Sequence, residues 1–270
     1  MAIITISRGS YSKGKEVAER VAERLGYQCI SREVILEASD AYRIPEIKLV
    51  KAIHDAPSIL DRFGSGKHAF IAYYQSALAR MVRGDKVVYH GLAGHLLLKG
   101  VPHVLKVRII ADLADHVESE VHREGLSEQE ARSLILKDDQ ERRKWTQSLY
   151  GMDPWDSSLY DLVIHINKFT VANAVDFICE AAGLDQFKAT RESQQKMDDL
   201  AMASYVKAGL VELHPDVHVA CEYGNCLIYS KADDRLARRL LEKVKAMARE
   251  TEGINNIEVH PGVPKPPHAV

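Results

Sequence analysis

The feature that most constrains this chain lies at its start. Ala2-Ile3-Ile4-Thr5-Ile6 is a short β-branched run, and a run without polar alternation suits a strand buried on both faces. It passes directly into Ser7-Arg8-Gly9-Ser10-Tyr11-Ser12-Lys13-Gly14-Lys15. Val17, Ala18, Val21, Ala22 and Leu25 then recur at three- and four-residue spacing with charges between them. That spacing predicts an amphipathic helix, stopped by Gly26 as its C-terminal cap. Strand, glycine-bearing loop and helix together form the opening unit of a parallel α/β domain.

The pattern repeats along the chain. Lys86–Tyr89, Val104–Ile110 and Leu162–Ile166 read as further strands, the last leading into an apolar-periodic helix over 171–182. Ser127 with Glu130 three residues later forms a capping box that opens a charged helix running toward Trp145. Residues 32–83 read as mostly helical, with breaks at Pro45 and Pro57. The expected fold is α/β, a central parallel sheet of P-loop NTPase type with helices on both faces. Gly183 to Lys196 is polar and unpatterned and reads as a linker. Beyond it come a helix (200–213), two strands around Tyr223-Gly224-Asn225, a helix with a basic face (234–249) and a last strand (256–260). This αββαβ set predicts a second, small α+β domain. The domain expectation is therefore 1–185, a linker at 186–197, the small domain at 198–262 and a loose proline-rich tail at 263–270.

Composition narrows the function classes without selecting one. The 270 residues carry 36 Lys+Arg against 38 Asp+Glu, a net charge of −2. This balance argues against a nucleic-acid coat protein, so no nucleic-acid partner is expected. Four scattered cysteines (Cys29, Cys179, Cys221 and Cys226) suit buried thiols in a reducing compartment better than a disulfide scaffold, and no set completes a metal site. The opening residues lack a basic lead and a cleavage pattern, and no apolar run approaches a membrane span. The expectation is a soluble, cytoplasmic protein.

The strand–helix junction carries the sharpest chemical signal. Gly9-Ser10-Tyr11-Ser12-Lys13-Gly14-Lys15-Glu16 fits G-x-x-x-x-G-K, lacking only the terminal hydroxyl residue. Backbone N–H groups of such a loop turn inward around a phosphate, and the following helix adds its positive end. Lys15 would reach the β- and γ-phosphates of ATP. Glu16 stands where a hydroxyl usually meets Mg²⁺, so the metal is expected to arrive with the nucleotide and no protein metal site is assigned.

With these residues in view, the chain resembles the cytidylate kinase-like family from Ile3 to about Ala182. The blocks that carry the resemblance are ITISRGSYSKGKEVAERVAERLGY at the start and Ser31-Arg32-Glu33-Val34-Ile35 after it. Gly125–Ala131 and Lys137–Arg143 look like the lid region, and Trp155–Ile164 looks like the family's entry into its last strand. The resemblance implies ATP-dependent phosphoryl transfer to a nucleoside monophosphate, CMP or dCMP by family name. It places Lys15, Arg142 and Arg143 at the transferring phosphate, with Asp139 orienting a lid arginine or pairing with Lys137 or Arg143. Arg8, Arg32, His90 and Arg108 are expected to face the acceptor, Arg108 from a strand end. The family's Gly-Arg pair after the third strand is replaced by His90-Gly91. His90 reads either as a weaker, pH-dependent cation or as a strand-end histidine. Glu16 and the missing arginine leave an alternative open: a catalytically degenerate nucleotide-binding sensor.

Asp199-Leu200-Ala201, Tyr205-Val206-Lys207, Val217–Cys221, Gly224 and Gly253–Val259 resemble a BON domain, a module met in bacterial proteins. That likeness implies a small ligand or anionic lipid as its partner. Arg235, Arg238, Arg239, Lys243 and Lys245 give the second helix of this module a basic face. No oligomeric state follows from the sequence.

Overall fold

A computed structural model describes residues 1–8, 13–46, 48–49, 66–231 and 233–270. Contacts divide the chain into two compact units, Met1–Arg32 with Gly84–Ala189, and Glu33–Arg83 with Thr190–Val270.

The first unit is built on a five-stranded sheet. Its strands are β1 (Ile3–Arg8), β2 (Gln28–Ile30), β3 (Val87–His90), β4 (Val104–Ala111) and β5 (Leu162–Ile166), in the order β2-β3-β1-β4-β5 with every neighbour parallel. β1 is central, which is why Ile3, Ile4 and Ile6 are each at most 1% exposed and why the strand needs no polar alternation. α1 (Gly14–Leu25) and α7 (Val171–Gly183) cover one face, where Val17, Ala18, Val21, Ala174, Val175 and Ile178 meet Ile4, Ile6, Val107 and Ile109. Gly26 ends α1 in the left-handed conformation at φ 65°, as a C-cap glycine should.

Side chains alternate along a strand, so Ile3, Thr5 and Ser7 point to the opposite face. There a four-residue helix, α4 (Gly94–Leu97), lies against β1 and β4. α5 (Leu113–Glu124) and α6 (Glu128–Tyr150) form a helical pair cored by Val117, Ala131 and Ile135. The Ser127–Glu130 capping box opens α6, both reciprocal bonds being present. Arg108 corrects one detail: it is not at a strand end, since β4 runs on to Ala111.

The second unit holds α2 (Glu33–Tyr42), α3 (Gly66–Val82), α8 (Arg191–Leu210), β6 (His218–Glu222), β7 (Asn225–Ser230), α9 (Asp234–Glu250) and β8 (Asn256–Pro261). Its separate sheet has the order β6-β7-β8, antiparallel then parallel. The core is Ala203, Val206 and Leu210 of α8 against Val219, Ile228, Leu240 and Val244. α2 and α3 join this unit through α8. Tyr73 donates to Glu212 at 2.9 Å, Arg83 pairs with Asp198 at 2.6 Å, and Tyr42 lies on Tyr73 at 4.6 Å.

Three local expectations are corrected. The stretch read as linker is helical from Arg191, because Thr190 and Ser193 form a capping box. The tail is not loose: Val270 and Val219 exchange backbone hydrogen bonds of 2.9 and 3.2 Å. Cys221 and Cys226 are not thiols but a disulfide, because the β6–β7 register sets them directly opposite each other, Cα atoms 4.3 Å apart. The hairpin that aligns them turns at Tyr223 and Gly224, both at positive φ. Gly224 is required there, since a Cβ would lie 2.4 Å from the Gly253 carbonyl oxygen. Cys29 and Cys179 are free. Among the described residues no helix is long and apolar enough to cross a membrane.

Candidate functional site

The junction between β1 and α1 is where ligand chemistry is expected, at the carboxyl edge of the sheet. Gly9, Ser10, Tyr11 and Ser12, and the side chain of Arg8, lie outside the described residues. Lys13 occupies the N-cap of α1 and makes no side-chain capping bond. Gly14 is buried at the first helical position. Lys15 is 65% exposed and only 3.6 Å from Glu19. An exposed pair one helical turn apart is worth a few tenths of a kcal/mol, about 0.5 at most, so the lysine can leave it. Glu16 pairs with Arg20 at 2.9 Å, which turns its carboxylate along the helix and offsets its charge. This pair is as exposed as the one beside it and is held no more firmly. Among the described residues no group of His, Cys, Asp or Glu is assembled to hold a metal.

The second part of the site lies on the face opposite α1. Ser7 and Arg108 are register partners on β1 and β4. The Arg108 guanidinium is clasped: its Nη1 donates to the Pro154 carbonyl at 2.6 Å and meets the Tyr160 hydroxyl at 3.3 Å. Tyr160 donates to the same carbonyl at 3.0 Å, and Arg108 lies 5.6 Å from the centre of its ring. Arg108 is half-buried and held in place by these bonds, and its charge is one of those that hold the nearby Asp153 carboxyl below its usual range. A planar guanidinium held by one nitrogen keeps its other donors for an anion such as phosphate.

Sequence reasoning passed over His95. Its Nδ1 lies 2.9 Å from the Ser7 hydroxyl, and its ring sits 4.5 Å from that of Tyr160. Burial, then the charges of Arg108 and Lys106, push its pKa down to about 3, so the imidazole is neutral. No local signal marks it, because the bond joins residues 88 positions apart.

The lid arginines separate. Arg142 is exposed and its side chain has no ion partner among the described residues. Arg143 is committed: its Nε bonds both carboxylate oxygens of Asp153 at 3.0 Å, and its guanidinium lies 4.3 Å from the Trp155 ring centre. That pairing holds the Asp153 carboxyl below its usual range. Burial holds the His116 imidazole of α5 below its usual range, and the charge of Asp139 offsets this only in part. Arg32 is exposed just past β2. His90 ends β3 and is 7% exposed, a buried strand-end position. The Gly91 that follows is sterically required, since a Cβ there would lie 2.3 Å from the Tyr89 hydroxyl. The structure therefore brings Ser7, His95, Arg108 and Tyr160 together, and leaves Arg142 and Arg143 doing different things.

The sequence profile of the cytidylate kinase-like family matches residues 3–168, which is more than half of the chain. The chain belongs to that family. Among curated relatives, a cytidylate kinase of Methanopyrus kandleri is 32% identical over 94 residues, covering 32% of this chain and 49% of the relative. A uronate isomerase of Corynebacterium glutamicum is 33% identical over 96 residues, covering 36% of this chain but 18% of the relative. The chain thus spans about half the length of the kinase and less of the isomerase. Among solved structures, an uncharacterized protein from Eubacterium ventriosum superposes with a TM-score of 0.53 at 21% identity. That match covers 67% of this chain and 97% of the other, and shows a shared fold.

Proposed function

We propose that this member of the cytidylate kinase-like family transfers a phosphoryl group from ATP to a nucleoside monophosphate, with CMP or dCMP the first acceptors to try. Arg108 carries the reading: it is a clasped, half-buried guanidinium on the strand next to the one that leads into the phosphate-loop motif. Phosphoryl transfer asks little covalent chemistry of a protein. It asks for two anions held in line and positive charge where the transferring oxygens gather it. In this reading residues 9–14 cradle the ATP phosphates and Lys15 swings from Glu19 onto them. Arg108 receives the acceptor phosphate, with Arg8, Arg32 and His90 beside it. Arg142 closes from the lid, while Arg143 and Asp139 shape that lid. Mg²⁺ enters on the nucleotide and neutralises phosphate charge when bound; no carboxylate of the chain is assigned to it.

The second unit's residues 198–262 are read as a BON-like module with a regulatory or ligand-binding role, and the protein as cytoplasmic. Its ligand is taken to be a small molecule or an anionic lipid. In α9, Arg235, Arg238, Arg239, Lys243 and Lys245 are all exposed and so accessible to an anion. A second reading, a sensor that binds nucleotide without turnover, is favoured by the Glu16–Arg20 pair and by the histidine at position 90.

ADP release measured with ATP and a panel of ribo- and deoxynucleoside monophosphates separates the two. Acceptor-dependent turnover is expected. Lys15→Ala should lower kcat at least a hundredfold, and Arg108→Ala should raise the acceptor KM at least tenfold, about 1.4 kcal/mol. Tight ATP binding without turnover on any acceptor would establish the sensor. An Arg108→Ala enzyme with wild-type acceptor KM would remove the residue on which the reading rests.

A further inference from the structure

The peptide unit between Pro154 and Trp155 is bonded at both ends. Its N–H donates to Asp153 Oδ1 at 3.0 Å. Its carbonyl oxygen accepts from Arg108 Nη1 at 2.6 Å and from the Tyr160 hydroxyl at 3.0 Å, which engages both lone pairs. A trans peptide is planar, so fixing the direction of the N–H fixes that of the carbonyl. The proline ring locks φ at residue 154, and the torsion left to turn that plane is ψ of Pro154. The carboxylate that takes the N–H is itself held from another element. Arg143 of α6 places its Nε 3.0 Å from both Asp153 oxygens, and its Nη2 adds a further bond to one of them. The same guanidinium lies 4.3 Å from the Trp155 ring centre. Trp155 is 51% exposed, so its ring serves as a face for that cation and not as core packing. Helix α6 thus grips the chain on each side of Pro154.

We infer that Asp153 is a positioning residue for Arg108: by holding the Trp155 N–H it aims the Pro154 carbonyl that holds the guanidinium, and Arg143 ties that setting to α6. Without the carboxylate, the peptide plane can turn about ψ of Pro154 and carry its oxygen away from Arg108 Nη1. The Tyr160 hydroxyl loses the same acceptor, so both contacts of the guanidinium are disturbed together. Arg108 then regains rotamers that an incoming anion must order on binding. Aim matters here because a guanidinium meets an oxyanion through a rigid planar fork, not as a point charge. The same bonds join α6, which also carries Arg142, to the arginine on β4. The lid helix and the acceptor-side cation are therefore set by one turn, Asp153-Pro154-Trp155. That Arg108 receives the acceptor phosphate belongs to the phosphotransferase reading, and the kinetic part of the inference rests on it; the doubly bonded peptide does not.

The test uses the full chain with Asp153→Ala, Asp153→Asn, Arg143→Ala and Arg108→Ala, and the doubles that join Asp153→Ala or Arg143→Ala to Arg108→Ala. Asparagine keeps an Oδ1 that can take the Trp155 N–H, while alanine does not. Acceptor affinity is read by calorimetry, with CMP or the tightest-binding nucleoside monophosphate of the panel. The KM values for that acceptor and for ATP, and the melting temperature, are read beside it. Asp153→Ala and Arg143→Ala should each weaken acceptor binding and raise its KM by about fivefold or more, with the ATP KM within about twofold of wild type. Asp153→Asn should recover acceptor affinity to within about twofold. On top of Arg108→Ala, either alanine variant should add less than about twofold, because the residue through which it acts is gone. A merely structural role would lower the melting temperature and leave the losses additive. If Asp153→Ala does not fold, Arg143→Ala and its double carry the same comparison. Wild-type acceptor affinity in the alanine variants, equal losses for ATP and acceptor, an asparagine variant no better than alanine, or additive doubles would each overturn the inference alone. A wild-type chain that binds no nucleoside monophosphate overturns it together with the phosphotransferase reading.

Discussion

Replacing Gly94 by alanine tests the packing that sets α4, and hence His95, against the sheet. An alanine Cβ would lie 2.6 and 2.7 Å from two carbons of the Tyr89 ring and 3.2 Å from the Thr5 Cβ. Tyr89 is fully buried, so its ring has no free space to swing into. Its hydroxyl is also tied to the Leu92 carbonyl at 3.0 Å. Overpacking of this kind costs about 1–3 kcal/mol. The opposing gain from replacing glycine in a helix is at most about 1 kcal/mol, and smaller at a first helical position. With a gain of about 0.5 kcal/mol the net loss is about 0.5–2.5 kcal/mol, which at roughly 2–4 °C per kcal/mol lowers the melting temperature by about 1–10 °C. Gly183→Ala supplies the control. It lies at the end of α7, where an added Cβ meets nothing within 4 Å. The same helical gain acts there without a clash, so its melting temperature should hold or rise. Scanning calorimetry of the full chain reads both. If Gly94→Ala melts as high as Gly183→Ala, the contact between α4 and Tyr89 is not tight and the argument for how His95 is held collapses.

Two further predictions concern the second unit. Burial, then the charge of Lys265, pushes the Lys207 pKa down to about 8. The folded chain then binds fewer protons than the unfolded chain between pH 8 and the ordinary lysine value near 10.5. The penalty is full below pH 8 and is relieved as pH rises through that window. Urea midpoints should climb over this range in wild type relative to Lys207→Met, and equal pH slopes in the two proteins would refute the assignment. The Cys221–Cys226 bridge closes a loop of only a few residues that the hairpin already holds together. Reduction should therefore cost no more than about 2 kcal/mol in denaturant unfolding. Thiol titration of the unfolded chain should rise from two to four on reduction, and four thiols in the untreated protein would show that the bridge is absent.

What could be read along the chain was what neighbouring residues decide between themselves. The apolar run of β1, the three- and four-residue spacing of α1, the Gly26 cap and the Ser127–Glu130 box involve residues within a turn or two of one another. Their geometry follows from backbone preference and local hydrogen bonding. The Gly-x-x-x-x-Gly-Lys spacing belongs to the same class, and so does the order of strands and helices that foretold the parallel sheet. The linker failed for a local reason: a polar segment carries little periodic signal, and the Thr190–Ser193 box that starts α8 was missed.

The sequence by itself determined the α/β class, the place of the phosphate-loop motif and the family likeness, because those rest on local pattern. Only the tertiary structure decided that Ser7 meets His95 and that Arg108 is clasped by Pro154 and Tyr160. It likewise decided that Arg143 answers to Asp153 and that residues 33–83 fold with the C-terminal unit. These pairings join residues up to more than a hundred positions apart. Nothing in the spacing of a chain records them, since they form only when strand register and helix packing bring distant side chains within hydrogen-bond reach.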